Sequence, residues 1–532
     1  MPTKRSNGVE LEECHNLVEP DKSSNMLKTE NGESTANGSS ATSLYSQSHH
    51  KNATGMSFLV TALFIVGETA GGGLIALPSA MVAPGFYYGT MLIVIGAIIC
   101  MYTGVLLSEN WTILQLRYSE YRVHCRKPYP AMGLKAIGPR FSALVSFTLQ
   151  LTQFGTAVVF ILLGAKNCSF LLAAVSVEIN FCAMIFIVSL LILPATMLKS
   201  PKDFWGAIVM AMITTSMAVG FIIFGALNDK DLCQPIANYP EWNPTKSFMC
   251  FGTIMFSLGG HGAFPNIQHD MKEPHRFKLS VILAYTIIAV MYIPVSLIGY
   301  YVYGDALTDS VIPSLQNPFI QSAVNILITL HVVLALIIVF NPLNQEIEEF
   351  FKLSHDFGPS RVISRSIIMA VVAFTAASVP NFGVLLDLVG SSTITLMALV
   401  YPVIFNLFLA ASYNLHKDQT LKTDRPLTLL ELFIYTPKSK LIMNVFILLI
   451  ATIGGFYASY TAAVAMTQTE FREPCYIEMI RSWTREGEDP FIPHHGHSKY
   501  ACCGPFKNIT RYENSAEYCV DPLMKASFGG GH

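Results

Sequence analysis

The 532-residue chain is 52% hydrophobic and only 13% charged, well below the roughly 25% of charged residues that is usual in soluble domains. This deficit indicates that lipid rather than water surrounds much of the chain. The formal net charge is −2, which gives no electrostatic basis for binding nucleic acid. No metal-ligand spacing, nucleophile elbow or phosphate loop occurs, so we expect neither an enzyme nor a metal or organic cofactor.

The chain begins with a polar tail, residues 1–52, that is rich in Ser, Asn, Glu and Lys. It carries no periodic apolar positions and cannot bury enough surface to offset its ordering entropy, so we expect it to be disordered. The first apolar run begins near Met56. We therefore expect this run, and not a cleaved signal peptide, to direct membrane insertion.

Eleven apolar runs follow, each about as long as a helix needs to cross a hydrocarbon core of roughly 30 Å, about 20 residues. They form a transmembrane domain over residues 53–466, followed by a C-terminal tail, 467–532. We number them as segments one to eleven: 56–82, 86–107, 141–164, 181–198, 204–227, 248–267, 279–302, 320–340, 362–379, 382–409 and 441–465. The sequence thus predicts an all-α integral membrane protein of about eleven spans.

Basic residues are distributed unequally between alternate connections. One set carries 19 Lys and Arg and the opposite set carries three. The basic set comprises 117–140, 199–203, 271–278, 352–365 and 412–440. Because basic loops remain in the cytosol, we predict a cytosolic N-terminus and, after an odd number of spans, an extracellular or lumenal C-terminal tail. The membrane itself stays open between plasma membrane and a vesicular or lysosomal membrane.

Cysteines and a glycosylation sequon support this orientation. The tail contains a sequon at Asn508 and cysteines at 475, 502, 503 and 519, which suit an oxidising compartment. Cys168 and Cys233 fall in predicted outer connections, and we expect them to be able to pair. The alternative is two unpaired thiols, since a disulfide needs close Cα atoms.

Segments one and six each contain a glycine-rich interruption. Break one, residues 67–73, reads Gly-Glu-Thr-Ala-Gly-Gly-Gly, and break six, residues 257–265, reads Ser-Leu-Gly-Gly-His-Gly-Ala-Phe-Pro. Glycine costs roughly 1 kcal/mol relative to alanine inside a helix, so both segments are predicted to unwind. Two breaks five segments apart are expected from two inverted five-helix repeats, and paired breaks point to a transporter's binding site.

Unwound backbone at membrane depth must be satisfied by protein or by a water-filled cavity. The amides of break one could hold a carboxylate, and carbonyls in break six could accept from an ammonium group, so we predict an amino acid as the solute. The predicted substrate-binding residues are Thr69, Ala70, Gly71, Gly72, Gly73, Thr156, Ser257, Gly259, Gly260 and Ser391. The alternative is that the glycines only allow close helix packing.

Three stretches resemble the amino acid/auxin permease family, which includes vesicular inhibitory amino acid carriers and proton-coupled amino acid transporters. They are Gly71-Gly-Gly-Leu-Ile-Ala-Leu-Pro78; Phe256-Ser-Leu-Gly-Gly-His-Gly-Ala-Phe-Pro265 with Met271-Lys-Glu-Pro274; and Val379-Pro-Asn-Phe-Gly383 with Leu388-Val-Gly-Ser391 and Pro402. The resemblance covers roughly residues 50–466 and is most specific in segment six. It implies an eleven-helix version of the LeuT/APC-like fold, with two inverted five-helix repeats and broken helices one and six, that carries amino acids driven by protons or sodium.

Ionisable residues inside spans are costly unless paired or hydrated, and are functional candidates for that reason. We predict that Glu68 in break one and His261 in break six couple transport to protons. Glu68 could instead pair with a substrate ammonium group or be satisfied by neighbouring amides. For His331 in segment eight we predict an interhelical hydrogen bond, and for Asp387 contact with outer water. The inner half of segment eight, 332–340, contains no hydroxyl, which favours protons over sodium.

Hydroxyl and amide side chains in segments three and ten are further candidates. They are Gln150, Thr152, Gln153, Thr156, Ser391, Ser392 and Thr393. They could line a solute cavity or bond across helices, and we assign Thr156 and Ser391 to the substrate.

Together these features predict a secondary active amino acid transporter that works by alternating access, coupled to protons as a symporter or an exchanger. One alternative is sodium coupling. Another is an amino-acid sensor that keeps a transporter fold and signals through its cytosolic tail to partners that the sequence does not identify. A channel would require a continuous polar lining, which these apolar spans lack.

Overall fold

The computed structural model describes residues 55–122, 125–177, 179–197, 205–243, 247–353, 358–417, 427–468, 474–477 and 480. These residues form helices and short connections, and the β-pairing among them is an isolated bridge between Met56 and Met271. The expected disordered tail 1–52, the sequon at Asn508 and most of the C-terminal tail lie outside the described residues.

The principal helices are labelled in chain order. They are α1 Phe58–Thr69, α2 Leu77–Ala80, α3 Gly85–Arg117, α4 Pro128–Ala136, α5 Pro139–Ala173, α6 Phe181–Thr196, α7 Trp205–Cys233, α8 Met249–Leu258, α9 Phe264–His269, α10 Phe277–Tyr303, α11 Pro318–Phe350, α12 Pro359–Ser378, α13 Phe382–Val389, α14 Tyr401–Lys417, α15 Leu429–Tyr435 and α16 Lys438–Gln468. Two π turns, Gly390–Ile394 and Leu396–Val400, join α13 to α14.

Local sequence signals explain where many of these helices begin. The side chains of Ser57, Asn180 and Asn317 accept hydrogen bonds from backbone N–H groups in the first turns of α1, α6 and α11, as N-cap residues do. Proline lies in the first turn of α4, α5, α11 and α12, where its missing N–H has no helical partner to lose.

Eight helices in the described part of the chain are long and apolar enough to cross a membrane, and α1 with α2 makes a ninth as a bent pair. Segment four corresponds to α6, which has 16 residues. Segment six is divided between α8 and α9, of ten and six residues. Every predicted segment therefore coincides with helix, but these two fall short of a full span, and the count of eleven spans stays a prediction.

The two broken segments lie inside the bundle. Helix α1 packs against α7 and α10, and α8 packs against α13, the first π turn and α16. Helix α11 packs against both α5 and α7. Residues 69–78, which contain most of break one, are all buried, so the interruption is enclosed by protein.

A disulfide joins Cys182, at the start of α6, to Cys475, with a Cα–Cα distance of 5.3 Å. The structure thus corrects the expected pair, because Cys168 and Cys233 are both free thiols. A shared membrane side does not bring two Cα atoms within the roughly 4.4–6.8 Å that a disulfide requires. The observed bond places Cys475 at the same end of the bundle as the start of segment four, while the orientation of that end in the membrane stays a prediction.

Buried ion pairs join α11 to α12, and a hydrogen bond connects them to α6. Helix α12 begins at Pro359, so Arg361 and Arg365 belong to a helix and not to a basic loop, and both are buried. Arg365 Nε donates to Glu348 Oε1 at 2.6 Å, and Nη1 donates to the carbonyl of Thr196 at the end of α6. Arg361 Nε lies 3.7 Å from the same Glu348 oxygen.

Replacing Glu348 with Gln should destabilise the protein strongly. Removing one member of a buried ion pair costs about 3–5 kcal/mol, because the other charge is left uncompensated. We expect Glu348→Gln to lower the midpoint of thermal unfolding of the purified protein in detergent. Glu346→Gln is the matched control: the Glu346 side chain is 27% exposed, and such pairs contribute about 0–1 kcal/mol. Equal midpoints for the two variants would contradict the buried pairing.

Candidate functional site

Break one interrupts its helix directly after Thr69. Ala70 has a non-helical ψ of 80°, and the axes of the two halves differ by 55°. The chain resumes as a 3-10 turn, Leu74–Ala76, followed by α2. Within the described residues, the N–H groups of Gly72 and Gly73 have no hydrogen-bond acceptor. Two buried backbone donors are therefore open at this position.

Break six separates α8 from α9. Helix α8 ends at Leu258, Gly259 has a ψ of 57°, and Ala263 N–H and Phe264 N–H donate back to the carbonyls of Gly260 and His261. The predicted unwinding of segments one and six is therefore confirmed.

The first halves of the two broken helices end in carbonyls that α10 satisfies. Tyr292 Oη lies 3.2 Å from the carbonyl oxygens of Thr69 and Ser257. Tyr285 Oη donates to the carbonyl of Leu258 at 2.7 Å. Sequence reasoning missed both tyrosines, although their spacing of seven residues, two turns on one face of α10, was a usable signal.

The two breaks touch through glycine positions. A Cβ on Gly73 would stand 2.5 Å from Ser257 Oγ, and a Cβ on Gly260 would stand 2.5 Å from Thr69 Oγ1. These glycines therefore do allow the two broken helices to pack closely, and this packing is compatible with a binding role. Thr69 Oγ1 is buried without a hydrogen-bond partner among the described residues, so its hydroxyl is available for a further hydrogen bond where the two breaks meet.

His261 faces α3 and is fully buried. Its Nε2 lies 2.9 Å from the carbonyl of Cys100 and 3.0 Å from Thr103 Oγ1. Because a carbonyl oxygen only accepts, Nε2 carries the proton in this arrangement. Nδ1 is buried without a partner in the described part of the chain, and the ring stacks on Phe264.

His331 lies against break one. Its Nδ1 donates to the carbonyl of Ala211 at 3.2 Å and lies 2.9 Å from Thr215 Oγ1, which confirms the predicted interhelical hydrogen bond. Thr215 in turn donates to the carbonyl of Ala70 at 3.2 Å. His331 Nε2 is 2.9 Å from the position of a Cβ on Gly71. The sequence did not reveal this proximity to the break.

Two carboxylates beside the broken helices differ in their contacts. Glu68, in the last turn of α1, has neither a hydrogen bond nor an ion pair among the described residues, so neighbouring amides do not satisfy it. Asp387 on α13 accepts from Thr253 Oγ1 of α8 at 2.5 Å. Asp387 therefore ties α13 to the broken helix, a contact that the expected position in outer water did not include.

The two polar residues assigned to the substrate from segments three and ten differ in position. Thr156 lies one turn before Phe160 on α5, and the Phe160 ring borders Gly71 and Gly72. Ser391 Oγ lies 3.0 Å from Ser459 Oγ on α16 and has no hydrogen bond to either break in the described residues. Phe160 was missed from the sequence, although it shares a helix face with Thr156.

Comparisons with known proteins identify the relatives of this chain. The family described as "Transmembrane amino acid transporter protein" matches residues 54–461, which include both breaks. The chain is similar to "Amino acid transporter AVT1D" of Arabidopsis thaliana, with 27% identity over 347 residues, 62% of this chain and 60% of that protein. It is also similar to "Lysine histidine transporter-like 6" of the same plant, with 26% identity over 345 residues, 60% of this chain and 75% of that protein. The chain spans about three fifths of the length of the AVT1D relative.

Replacing Gly73 with Ala should separate the two breaks, because the added methyl group would overlap Ser257. Overpacking of this kind costs about 1–3 kcal/mol, and we expect a lower midpoint of thermal unfolding. Gly220→Ala on α7 is the matched control, since a Cβ there meets nothing within 4 Å and alanine favours the helix. If Gly73→Ala were as stable as Gly220→Ala, the close contact between the breaks would be refuted.

Proposed function

The chain belongs to the transmembrane amino acid transporter family, and from this premise we propose that it is a secondary active transporter that moves an amino acid across a membrane by alternating access. The proposal rests on the contact between the two breaks. Backbone N–H groups without acceptors among the described residues lie on one side of this contact, and the carbonyl groups that end the first half-helices lie on the other. Eleven spans in two inverted five-helix repeats are part of the same proposal, because that arrangement brings helices one and six together.

In this proposal the substrate carboxylate binds the N–H groups of Gly72 and Gly73. They precede the second half of the broken helix, where the helix dipole favours an anion. The ammonium group binds the carbonyls of Thr69 and Ser257. These share one hydroxyl hydrogen from Tyr292, so each keeps accepting capacity, because a carbonyl oxygen has two lone pairs.

The remaining predicted substrate residues differ in how near they lie to this position. Thr69, Ala70, Gly71, Gly259 and Gly260 belong to the breaks, and Thr156 lies one turn before Phe160, whose ring borders break one. Ser391 would have to leave Ser459 to reach a solute. These assignments account for the carboxylate and the ammonium group of a small zwitterion. They do not specify its side chain, which depends on the shape of the surrounding residues.

Protons are the proposed driving ion, with either symport or exchange. Glu68 lies in break one, His331 borders it and His261 lies in break six, so three groups able to exchange protons adjoin the solute position. Glu68 lacks a partner among the described residues, and Nδ1 of His261 is open, which supports their role in coupling. We propose a cytosolic N-terminus, and the disulfide at Cys475 supports an oxidising compartment on the C-terminal side.

Transport can be tested with purified protein in liposomes and a panel of labelled amino acids, including lysine and histidine. We expect uptake or exchange of at least one amino acid, accelerated by an inward proton gradient and insensitive to replacement of sodium. Empty liposomes and a heat-inactivated preparation serve as controls. Saturable binding with no flux for any amino acid would contradict transport and favour a sensor.

The coupling role of Glu68 can be tested with Glu68→Gln, which removes the exchangeable proton and keeps the side-chain shape. We expect loss of proton-driven uptake with exchange of internal for external amino acid retained, because exchange needs no net proton movement. The control is Glu241→Gln, an exposed residue in the connection after α7. An unchanged dependence of uptake on pH in Glu68→Gln would remove Glu68 from the mechanism.

A further inference from the structure

A cavity enters the bundle from the face that carries the basic connections. Its walls come from α4, α5, α9 and α11, and they include Tyr129, Ser146, Gln150 and Gln345. Gly262 of break six and Asn266 of α9 also line it. The cavity therefore connects this face of the bundle with the second half of a broken helix.

Arg126, Lys127 and Glu346 line this cavity, and Glu349 pairs with both basic side chains; we name these four charged residues the latch. Arg126 Nη1 lies 3.0 Å from Glu349 Oε2, and Lys127 Nζ lies 3.0 Å from Glu346 Oε2 and 3.3 Å from Glu349 Oε1. Arg126 also donates to the carbonyl of Gln345 at 3.3 Å. The latch thus joins the residues just before α4 to the end of α11.

The latch pairs have the exposure expected of contacts that can break and re-form. Their side chains are 21–34% exposed, so water and salt weaken the attraction. Glu348 lies between Glu346 and Glu349 in sequence, but it is buried against Arg365. That buried pair fixes the end of α11 to α12, so separating the latch would displace the α4 side relative to α11 and α12 together.

A chain of contacts links the α4 side to break six. Tyr129, in the first turn of α4, donates from Oη to the carbonyl of Met397 at 2.5 Å. The Met397 side chain lies against Gly262, 3.7 Å from the position of a Cβ there. Movement of α4 away from α11 would therefore be transmitted through Tyr129 and Met397 to break six.

We propose that the latch is the gate between the solute position and the face predicted to be cytosolic, and that this gate opens when Arg126 and Lys127 separate from Glu346 and Glu349. The proposal rests on the proposed transport function, since a gate needs a solute route behind it. When the latch opens, its charges face the exit, where they can bind the carboxylate and ammonium groups of a departing amino acid in place of each other.

The test measures access to the cavity without relying on transport. A cysteine is introduced at Asn266 (Asn266→Cys), and its reaction rate with a bulky, charged thiol reagent is measured on monodisperse protein in detergent. The rate of the same protein without the introduced cysteine is subtracted, because native free thiols are present. Glu346→Gln with Glu349→Gln should accelerate labelling roughly fivefold, as expected from losing several weak pairs together.

A pair of variants with exchanged charges and a matched control test whether the latch ion pairs cause the change in labelling rate. Lys127→Glu alone should accelerate labelling, and combining it with Glu346→Lys should slow it again by restoring an ion pair. Glu120→Gln breaks a comparably exposed pair with Lys135, outside the cavity, and should leave the rate unchanged.

A labelling rate that is unaffected by neutralising the latch, or that the charge exchange does not slow, would overturn the gate. Uptake by the same variants in liposomes separates the two proposals. If labelling accelerates but no amino acid is transported by the parent protein, the latch controls the cavity and the proposed function fails. If the parent transports and labelling does not respond, the function stands and the gate fails.

Discussion

The fold depends on one constraint: a helix interrupted at membrane depth must find partners for its backbone inside the protein. Tyr285 and Tyr292 supply donors to the carbonyls that end the first half of each broken helix. The amides of Gly72 and Gly73 receive no corresponding acceptor within the described residues. The breaks are therefore satisfied asymmetrically, with acceptors bonded and donors open. Under the proposed function, this asymmetry is what allows the interruption to bind an anionic group.

Close packing makes the two breaks one mechanical unit. Gly73 against Ser257 and Gly260 against Thr69 leave no room for a methyl group, so neither broken helix can shift without displacing the other. Polar contacts attach the surrounding helices to this unit, among them His261 to α3, and Thr215 with His331 to the end of α1. Hydrogen bonds of this kind can exchange partners at low cost, because each contributes only about 0.5–1.5 kcal/mol net. Two breaks that move as one unit, held to the surrounding helices by hydrogen bonds that can exchange partners, are compatible with the proposed alternating access.

The sequence predicted those features that depend on neighbouring residues in the chain. Apolar runs and glycine clusters are local, so the helical segments and both breaks were predictable. The partners of the breaks were not, because a tyrosine or threonine in an apolar helix carries no sign of which carbonyl it will meet. The contact between the Ser391 hydroxyl and Ser459 was not predictable for the same reason, and the assignment of Ser391 to the substrate stays a prediction. The disulfide was assigned by membrane side, whereas pairing depends on the distance between Cα atoms.

Charge is scarce in this chain, so the environment of each carboxylate decides what it can do. Glu346 and Glu349 share one face of α11, and Glu348 points elsewhere, toward α12. Burial gives the Glu348 pair with Arg365 a high cost of rupture, because either charge alone would be left without water. Partial exposure gives the Glu346 and Glu349 ion pairs a low cost of rupture, because water replaces the lost partner. Three glutamates within one turn can therefore hold α11 permanently to α12 and reversibly to the α4 side, which is what a gate beside a fixed scaffold requires.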